Sequence, residues 1–465
     1  MKYVSTRGES APIDFLEAVM AGLAPDGGLY CPEAWPTFSA DEIASFAGMP
    51  YADVAAEVLG KFAGDAIDKA TLRHLCAEAY ATFSHTAVTP LKQLRPGLFM
   101  LELFHGPSLA FKDVAMQMLA RLYDHALKAR SRKLTIVCAT SGDTGGAAVE
   151  AFRGASNTRV VVMFPDGRIS EVQRRYMTTA TEKNVANIAI AGNFDDCQTM
   201  LKGMFQDGQF ANAVDLAAVN SINFARIASQ VVYYFVAAVA LGAPHRKVAF
   251  AVPTGNFGDA YAGYAAWRMG LPIERIIAAT NSNDIVSQAL EEGRYARGEV
   301  HHTASPAMDI QISSNFERLY FEGVARNGLE TARAFRAFQT TGSLDIPPSA
   351  LAAMRELFRG VAVSEEETAK TMLATLNETG ELIDPHTAVG VRGALKIGPV
   401  DARTPVVVLS TAHAAKFPET VTPITSVEPK APPRAQEIAR KPEKFDHLPA
   451  DIEAVKAYVR AFVNA

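Results

Sequence analysis

The sequence is short of cysteine, has no long apolar run and carries no strong excess of either charge, and each shortage removes a class of protein. Its four cysteines, Cys31, Cys76, Cys138 and Cys197, stand far apart with no CxxC pair. They read as buried or semi-buried thiols in a reducing compartment rather than a disulfide framework. The most apolar stretch, VVYYFVAAVALGA at 231–243, falls short of the roughly 20 residues that span a bilayer and reads as a buried helix. With 45 basic residues against 50 acidic ones, the net charge is only -5. No basic stretch dominates, which argues against broad nucleic-acid binding, so any anion must be held by a local constellation. Arg7, Glu9, Asp14 and Glu17 interrupt the start of the chain before a secretory signal can form. His301 and His302 have no third ligand at suitable spacing and read as loop histidines, not a metal site. The expectation is a soluble cytoplasmic protein with no metal, no membrane and no nucleic-acid partner.

What is present is a rhythm of strand followed by helix. At 465 residues the chain is too long for one ordinary core, and two or three domains are expected. Residues 1–90 read as short helices with a glycine turn, PDGGLY, leading into a strand. TPLKQLRPGLFMLELFHG reads as a hairpin or a pair of strands. KLTIVCAT, RVVVMFPDG and VANIAIAG are then each followed by a helical pattern, and KVAFAVPT, RIIAAT and TPVVVLSTAH resume the alternation. Strands spaced in this way predict a parallel sheet with helices on both faces, an α/β fold. From 426 to 465 proline and charge take over, which predicts a solvated strap ending in an amphipathic helix.

Five stretches could carry chemistry. In FHGPSLAFKD (104–113) Lys112 follows Leu109, Ala110 and Phe111 and opens a helical pattern. The helix dipole and apolar neighbours both disfavour a charged amine there, which suits an amine that forms a Schiff base with a carbonyl cofactor. Taken alone it reads as a surface lysine; the stretches that accompany it favour the chemical reading. SGDTGGAA (141–148) and TGNFGDAYAG (254–263) share one design, an apolar strand, a G-x-x-G turn and a helix of small residues. Such turns aim backbone N–H groups at an anion, or simply connect strand to helix. Neither is GxGxxG with a downstream acidic partner, and neither ends in GK[ST], which leaves the dinucleotide reading weak and rules out the P-loop. In NSINFARIASQ, Ser221, Asn223 and Arg226 open the long apolar helix, either as a phosphate clamp or as a cap with a surface arginine. In LSTAHAAKF, Ser410 and Thr411 could bond a heterocycle or cap a helix.

Read together, FHGPSLAFKD, ATSGDTGGAA, NSINFARI, PTGNFGDAYAG, SSNFERLYFE, DPHTAVG and LSTAHAAKFPET resemble, in this order, the motifs of the threonine synthase family in its longer bacterial and fungal branch. The resemblance extends to the N-terminal YVSTRG and covers nearly the whole chain. It implies the tryptophan-synthase-β type of fold for enzymes of pyridoxal 5'-phosphate, with two parallel-sheet α/β domains and an N-terminal helical extension. The division it implies is an extension at 1–90, a large cofactor-binding domain at 91–130 with 222–425, a small α/β domain at 131–221, and the strap and helix at 426–465.

Carried over residue by residue, the resemblance implies that Lys112 holds the cofactor covalently. Thr254, Gly255, Asn256, Phe257 and Gly258 would cradle its phosphate, and Thr411 would meet the pyridine nitrogen. Ser141, Asp143 and Thr144 would face the substrate carboxylate or the cofactor ring oxygen, and Ser221, Asn223 and Arg226 would grip the substrate phosphate. The implied reaction converts O-phospho-L-homoserine and water to L-threonine and phosphate, in a monomer or homodimer. A dehydratase or cysteine synthase of the same fold lacks the need for a second phosphate clamp. A non-catalytic binder of phosphorylated metabolites would use the turns without Lys112 chemistry.

Overall fold

The computed structural model describes residues 1–140, 142–217 and 219–464. Contacts divide the chain into two compact units, Met1–His105 with Ser221–Pro429, and Gly106–Asn220 with Lys430–Ala465.

The larger unit is built on a six-stranded sheet. Its order is Phe358–Ala362, Ile273–Thr280, Val248–Pro253, Val406–Ser410, Leu98–Glu102 and Leu91–Arg95, all parallel except the last pair, a hairpin. Val248–Pro253 is buried along its whole length, which explains its unbroken apolar sequence: a central parallel strand is covered on both faces. The N-terminal segment does not stand apart. Its helix Tyr51–Ala63 packs on Phe224–Ala240, with Phe62 and Phe224 rings 5.4 Å apart edge to face. Phe224–Ala240 contains most of the apolar run noted above, through Ala240, and is buried on nearly every side, as an all-round apolar helix must be.

The smaller unit carries a five-stranded, wholly parallel sheet in the order Asp446–Pro449, Val185–Ala191, Thr158–Pro165, Leu134–Ala139 and Leu216–Ala217. Two differences from the expected division follow. The helix Lys112–Arg130, expected with the segment at 222–425, belongs to this unit because it packs along Asp143–Phe152. The strap, expected as a separate solvated segment, joins this unit and is only partly solvated: Asp446–Pro449 supplies an edge strand, Ile438 is buried against Leu109 and Tyr176, and Ile452–Asn464 buries Val455 and Val459. Arg434 pairs with the buried carboxylate of Glu150 at 2.5 Å, and Arg174 with Glu443 at 2.8 Å. These pairings join residues hundreds of positions apart, which no local periodicity can show.

Candidate active site

In the smaller unit the loop before Lys112 is held by its neighbour. Asp113, fully buried, accepts from the backbone N–H of Ser108 at 2.7 Å and the Ser108 hydroxyl at 2.8 Å. A side chain on Gly106 would meet the Asp113 Cβ at 2.4 Å, so the tight approach of loop to helix requires glycine there. Lys112 therefore sits on the first turn of its helix with a side chain only 14% exposed, its Nζ 3.8 Å from Asp143 Oδ2. The surface-lysine reading does not hold.

Asp143 opens Asp143–Phe152 and is itself buried, with Gln173 Nε2 donating to its Oδ1 at 3.3 Å. The turn before it passes through Gly142 at φ 145°, where an added Cβ would come 2.5 Å from the Gln173 carboxamide carbon. Thr140 Oγ1 accepts from the amides of Gly142 at 2.9 Å and Gly145 at 3.0 Å. Gly145 and Gly146 face Met177 and Tyr176, leaving no room for a side chain at Gly145. Their smallness thus serves helix packing, whereas Gly142 shapes the turn. Thr144 is half-buried in the first helical turn. Ser141 lies outside the described residues.

In the larger unit Thr254 follows the central strand, and its hydroxyl donates back to the Val252 carbonyl at 2.7 Å. Gly255 and Asn256 are half-buried, and Phe257 adopts a left-handed conformation, φ 60°, as it enters Gly258–Arg268. Its ring is fixed between Phe316 and Phe358 at 5.8 and 5.3 Å. Among the described residues nothing accepts from the amides of Gly255, Asn256, Phe257 and Gly258, so a run of donors stands at a helix start, the arrangement that binds phosphate. Residues 313–315 brace the turn from behind: Ser313 Oγ donates to the Gly255 carbonyl at 2.7 Å, and Asn315 donates to the Asn256 carbonyl from its backbone at 3.1 Å and its side chain at 3.0 Å. These braces lie in SSNFERLYFE, and their spacing carries no local signature that sequence reasoning could find.

Thr411 lies just past Val406–Ser410, buried, and its hydroxyl has no partner among the described residues. It is not a cap: His413 caps the short helix that follows. The register of the two strands pairs Ala249 with Val406 and Ala251 with Val408; carried forward three residues, it sets Thr254 level with Thr411 at the carboxyl edge of the sheet. That edge is where α/β sheets bind ligands.

Asn223 caps Phe224–Ala240, accepting from Ala225 N at 3.0 Å and donating to the Val19 carbonyl at 2.8 Å. Its amide is thus engaged in holding the helix start. Arg226, in the first turn, is 4% exposed and is no surface arginine. The Ser221 carbonyl accepts from Asn315 at 3.2 Å, tying this segment to the brace of the glycine turn. Beside that turn stands a carboxyl the sequence reading left out, Asp259, which burial pushes up to about 7 despite the Tyr233 and Tyr234 hydroxyls it accepts.

Among the described residues no group of His, Cys, Asp and Glu could hold a metal ion, and no helix is long and apolar enough to cross a membrane.

Residues 2–80 match the family described as threonine synthase N terminus, residues 83–359 the family of pyridoxal-phosphate dependent enzymes, and residues 387–459 the threonine synthase C-terminal family. A threonine synthase of Pseudomonas aeruginosa is 47% identical over 465 residues, covering 100% of this chain and 99% of that protein. The crystal structure of a threonine synthase from Brucella melitensis with bound PLP superposes with a TM-score of 0.98 at 50% identity, covering all of both chains. A yeast threonine synthase structure gives 0.95 at 36% identity, covering 100% of this chain and 99% of that one.

Proposed function

The chain belongs to the threonine synthase family of pyridoxal-phosphate-dependent enzymes, and from that premise we propose which of its residues bind and which of them react. The reaction is conversion of O-phospho-L-homoserine and water to L-threonine and phosphate. When bound, pyridoxal phosphate supplies the conjugated electron sink that makes protons on adjacent carbons removable at neutral pH.

The observation that carries the assignment is the row of N–H donors at Gly255–Gly258 on a sheet edge that also presents the Thr411 hydroxyl. The amides and Thr254 fit the cofactor phosphate. Thr411 fits the pyridine nitrogen, and a hydroxyl there leaves the ring less cationic than a carboxylate would. Lys112, on its buried helix start, holds the cofactor covalently. Once released, its long flexible amine moves protons on one face of the substrate, which a short carboxylate reaches less well. Asp143, a carboxylate 3.8 Å from Lys112 Nζ, belongs on the cofactor side, because it would repel the substrate carboxylate. Thr144 and Ser141 suit that carboxylate. Arg226 and Ser221 bind the substrate phosphate, with Asn223 holding the helix start from which Arg226 projects.

The working unit is a monomer or homodimer, cytoplasmic, with a small phosphorylated amino acid as its substrate and no nucleic-acid partner; the weak net charge of -5 supports the last point. The test is product analysis after mixing the cofactor-loaded protein with O-phospho-L-homoserine. Threonine and phosphate in equal amounts are expected. A 2-oxo acid with ammonia as the main product would overturn the assignment.

A further inference from the structure

We propose that Asp384 is the positioning residue that sets both ends of the cofactor-binding edge in the larger unit, a role that rests on the reading of Thr254–Gly258 and Thr411 just given. Asp384 is fully buried and caps the helix Pro385–Ile397. A cap needs one acceptor contact, yet this carboxylate makes more. Its Oδ2 accepts from His386 N at 3.0 Å and His386 Nδ1 at 2.7 Å, and its Oδ1 accepts from Thr387 N at 3.1 Å and from the Thr387 hydroxyl.

Each side-chain contact starts a chain that ends at the edge. Because Nδ1 of His386 donates to Asp384, Nε2 is left as an acceptor, and the Ala307 N–H donates to it at 3.3 Å. Ala307 in turn is packed on the glycine turn: a Cβ on Gly255 would lie 3.0 Å from the Ala307 carbonyl oxygen and 3.2 Å from the Met308 Cα. The His386 ring is kept in place by Phe417, centroid to centroid 5.0 Å. On the other side, the Thr387 hydroxyl gives its proton to Asp384, so it accepts from Ser410 Oγ at 2.9 Å. Ser410 is the last residue of its strand and directly precedes Thr411. One carboxylate thus orients a wall of the phosphate turn through His386 and the start of the Thr411 segment through Thr387. Such supporting contacts fix the geometry of a site without touching its ligand.

The two arms predict different defects, read by titrating the cofactor-free protein with pyridoxal 5'-phosphate and, separately, with pyridoxal, which lacks the phosphate. His386→Asn keeps a donor to Asp384 but removes the acceptor for Ala307. It should weaken pyridoxal phosphate about five- to tenfold, the effect of one lost buried hydrogen bond, and leave pyridoxal nearly unchanged. His386→Gln, which can restore an acceptor near Nε2, should recover most of the loss. Thr387→Val should shift the visible absorbance of the bound cofactor with little change in phosphate preference, and Thr387→Ser should behave as wild type. Asp384→Asn should show both defects; should it fail to fold, the His386 and Thr387 pairs decide alone.

Equal weakening of both ligands by His386→Asn, or unchanged affinity and absorbance in all variants, overturns the role of Asp384. A wild-type protein that does not prefer pyridoxal phosphate over pyridoxal instead overturns the reading of the glycine turn, and this proposal with it.

Discussion

Tyr233 donates its hydroxyl to Asp259 Oδ1 at 2.5 Å, one residue beyond the last glycine of the turn Thr254–Gly258. The carboxyl is buried, Tyr234 adds a second donor at 3.0 Å, and no cation is among the groups that set its proton affinity. Desolvation outweighs both hydrogen bonds and raises the group from 3.8 to about 7. Between those values the folded protein holds a proton that the unfolded chain releases, so this group's contribution to stability falls as pH rises towards 7 and is flat above it. The full span is on the order of 4 kcal/mol at 1.36 kcal/mol per pH unit. Asp259→Asn removes the dependence: thermal unfolding should show the variant gaining on wild type from pH 5 to pH 8. A constant difference across that range would refute a raised Asp259.

Lys112→Ala should abolish the visible absorbance of the purified protein and lower turnover by about a thousandfold or more, the consequence of losing the group proposed both to tether the cofactor and to transfer protons. The fold should survive, since the helix Lys112–Arg130 is anchored by Asp113 and its buried face. Borohydride reduction followed by peptide mapping should label position 112 in wild type only.

Arg226→Ala should raise the KM for O-phospho-L-homoserine roughly ten- to a hundredfold, the value of one or two hydrogen bonds to a charged group. Cofactor absorbance should stay as in wild type. Arg226→Lys should recover only part of the affinity, because an ammonium cannot make the two-pronged contact of a guanidinium. Loss of cofactor with unchanged KM would place Arg226 elsewhere.

Gly142→Ala combines a backbone at φ 145° with a side chain 2.5 Å from the Gln173 carboxamide. A cost of about 1–3 kcal/mol for the backbone alone is expected, read as a drop of several degrees in Tm. Adding Gln173→Ala should relieve the clash but not the backbone strain, so recovery should be partial. Full recovery would show that sterics alone dictate glycine there.

All four cysteines are buried. Burial pushes the Cys76 thiol up to about 12 and Cys197 up to about 11, and raises Cys31 as well. Since the thiolate is the nucleophile, iodoacetamide at pH 8 should leave the folded protein unmodified and label four sites after unfolding. Rapid labelling of any one under native conditions would contradict this burial.

The sequence by itself determined the parallel α/β class, the two strands within Leu91–Glu102, the buried helix Phe224–Ala240 and the lysine at a helix start, because each follows from periodicity, glycine turns or dipoles within a few residues. It also ordered seven motifs in a way that pointed to one family. Tertiary structure alone decided which glycines serve the site and which serve packing, as Gly142 and Gly145 show, and that Asn223 caps a helix while Arg226 is buried. It turned the charged strap into an edge strand, paired Asp446–Pro449 with Val185–Ala191, and led from Asp384 through His386 to Ala307. The reason is physical: a hydrogen bond or a packing contact between residues 80 or 260 positions apart depends on how sheets bring strand ends together, and nothing in either local stretch changes when that partner is absent.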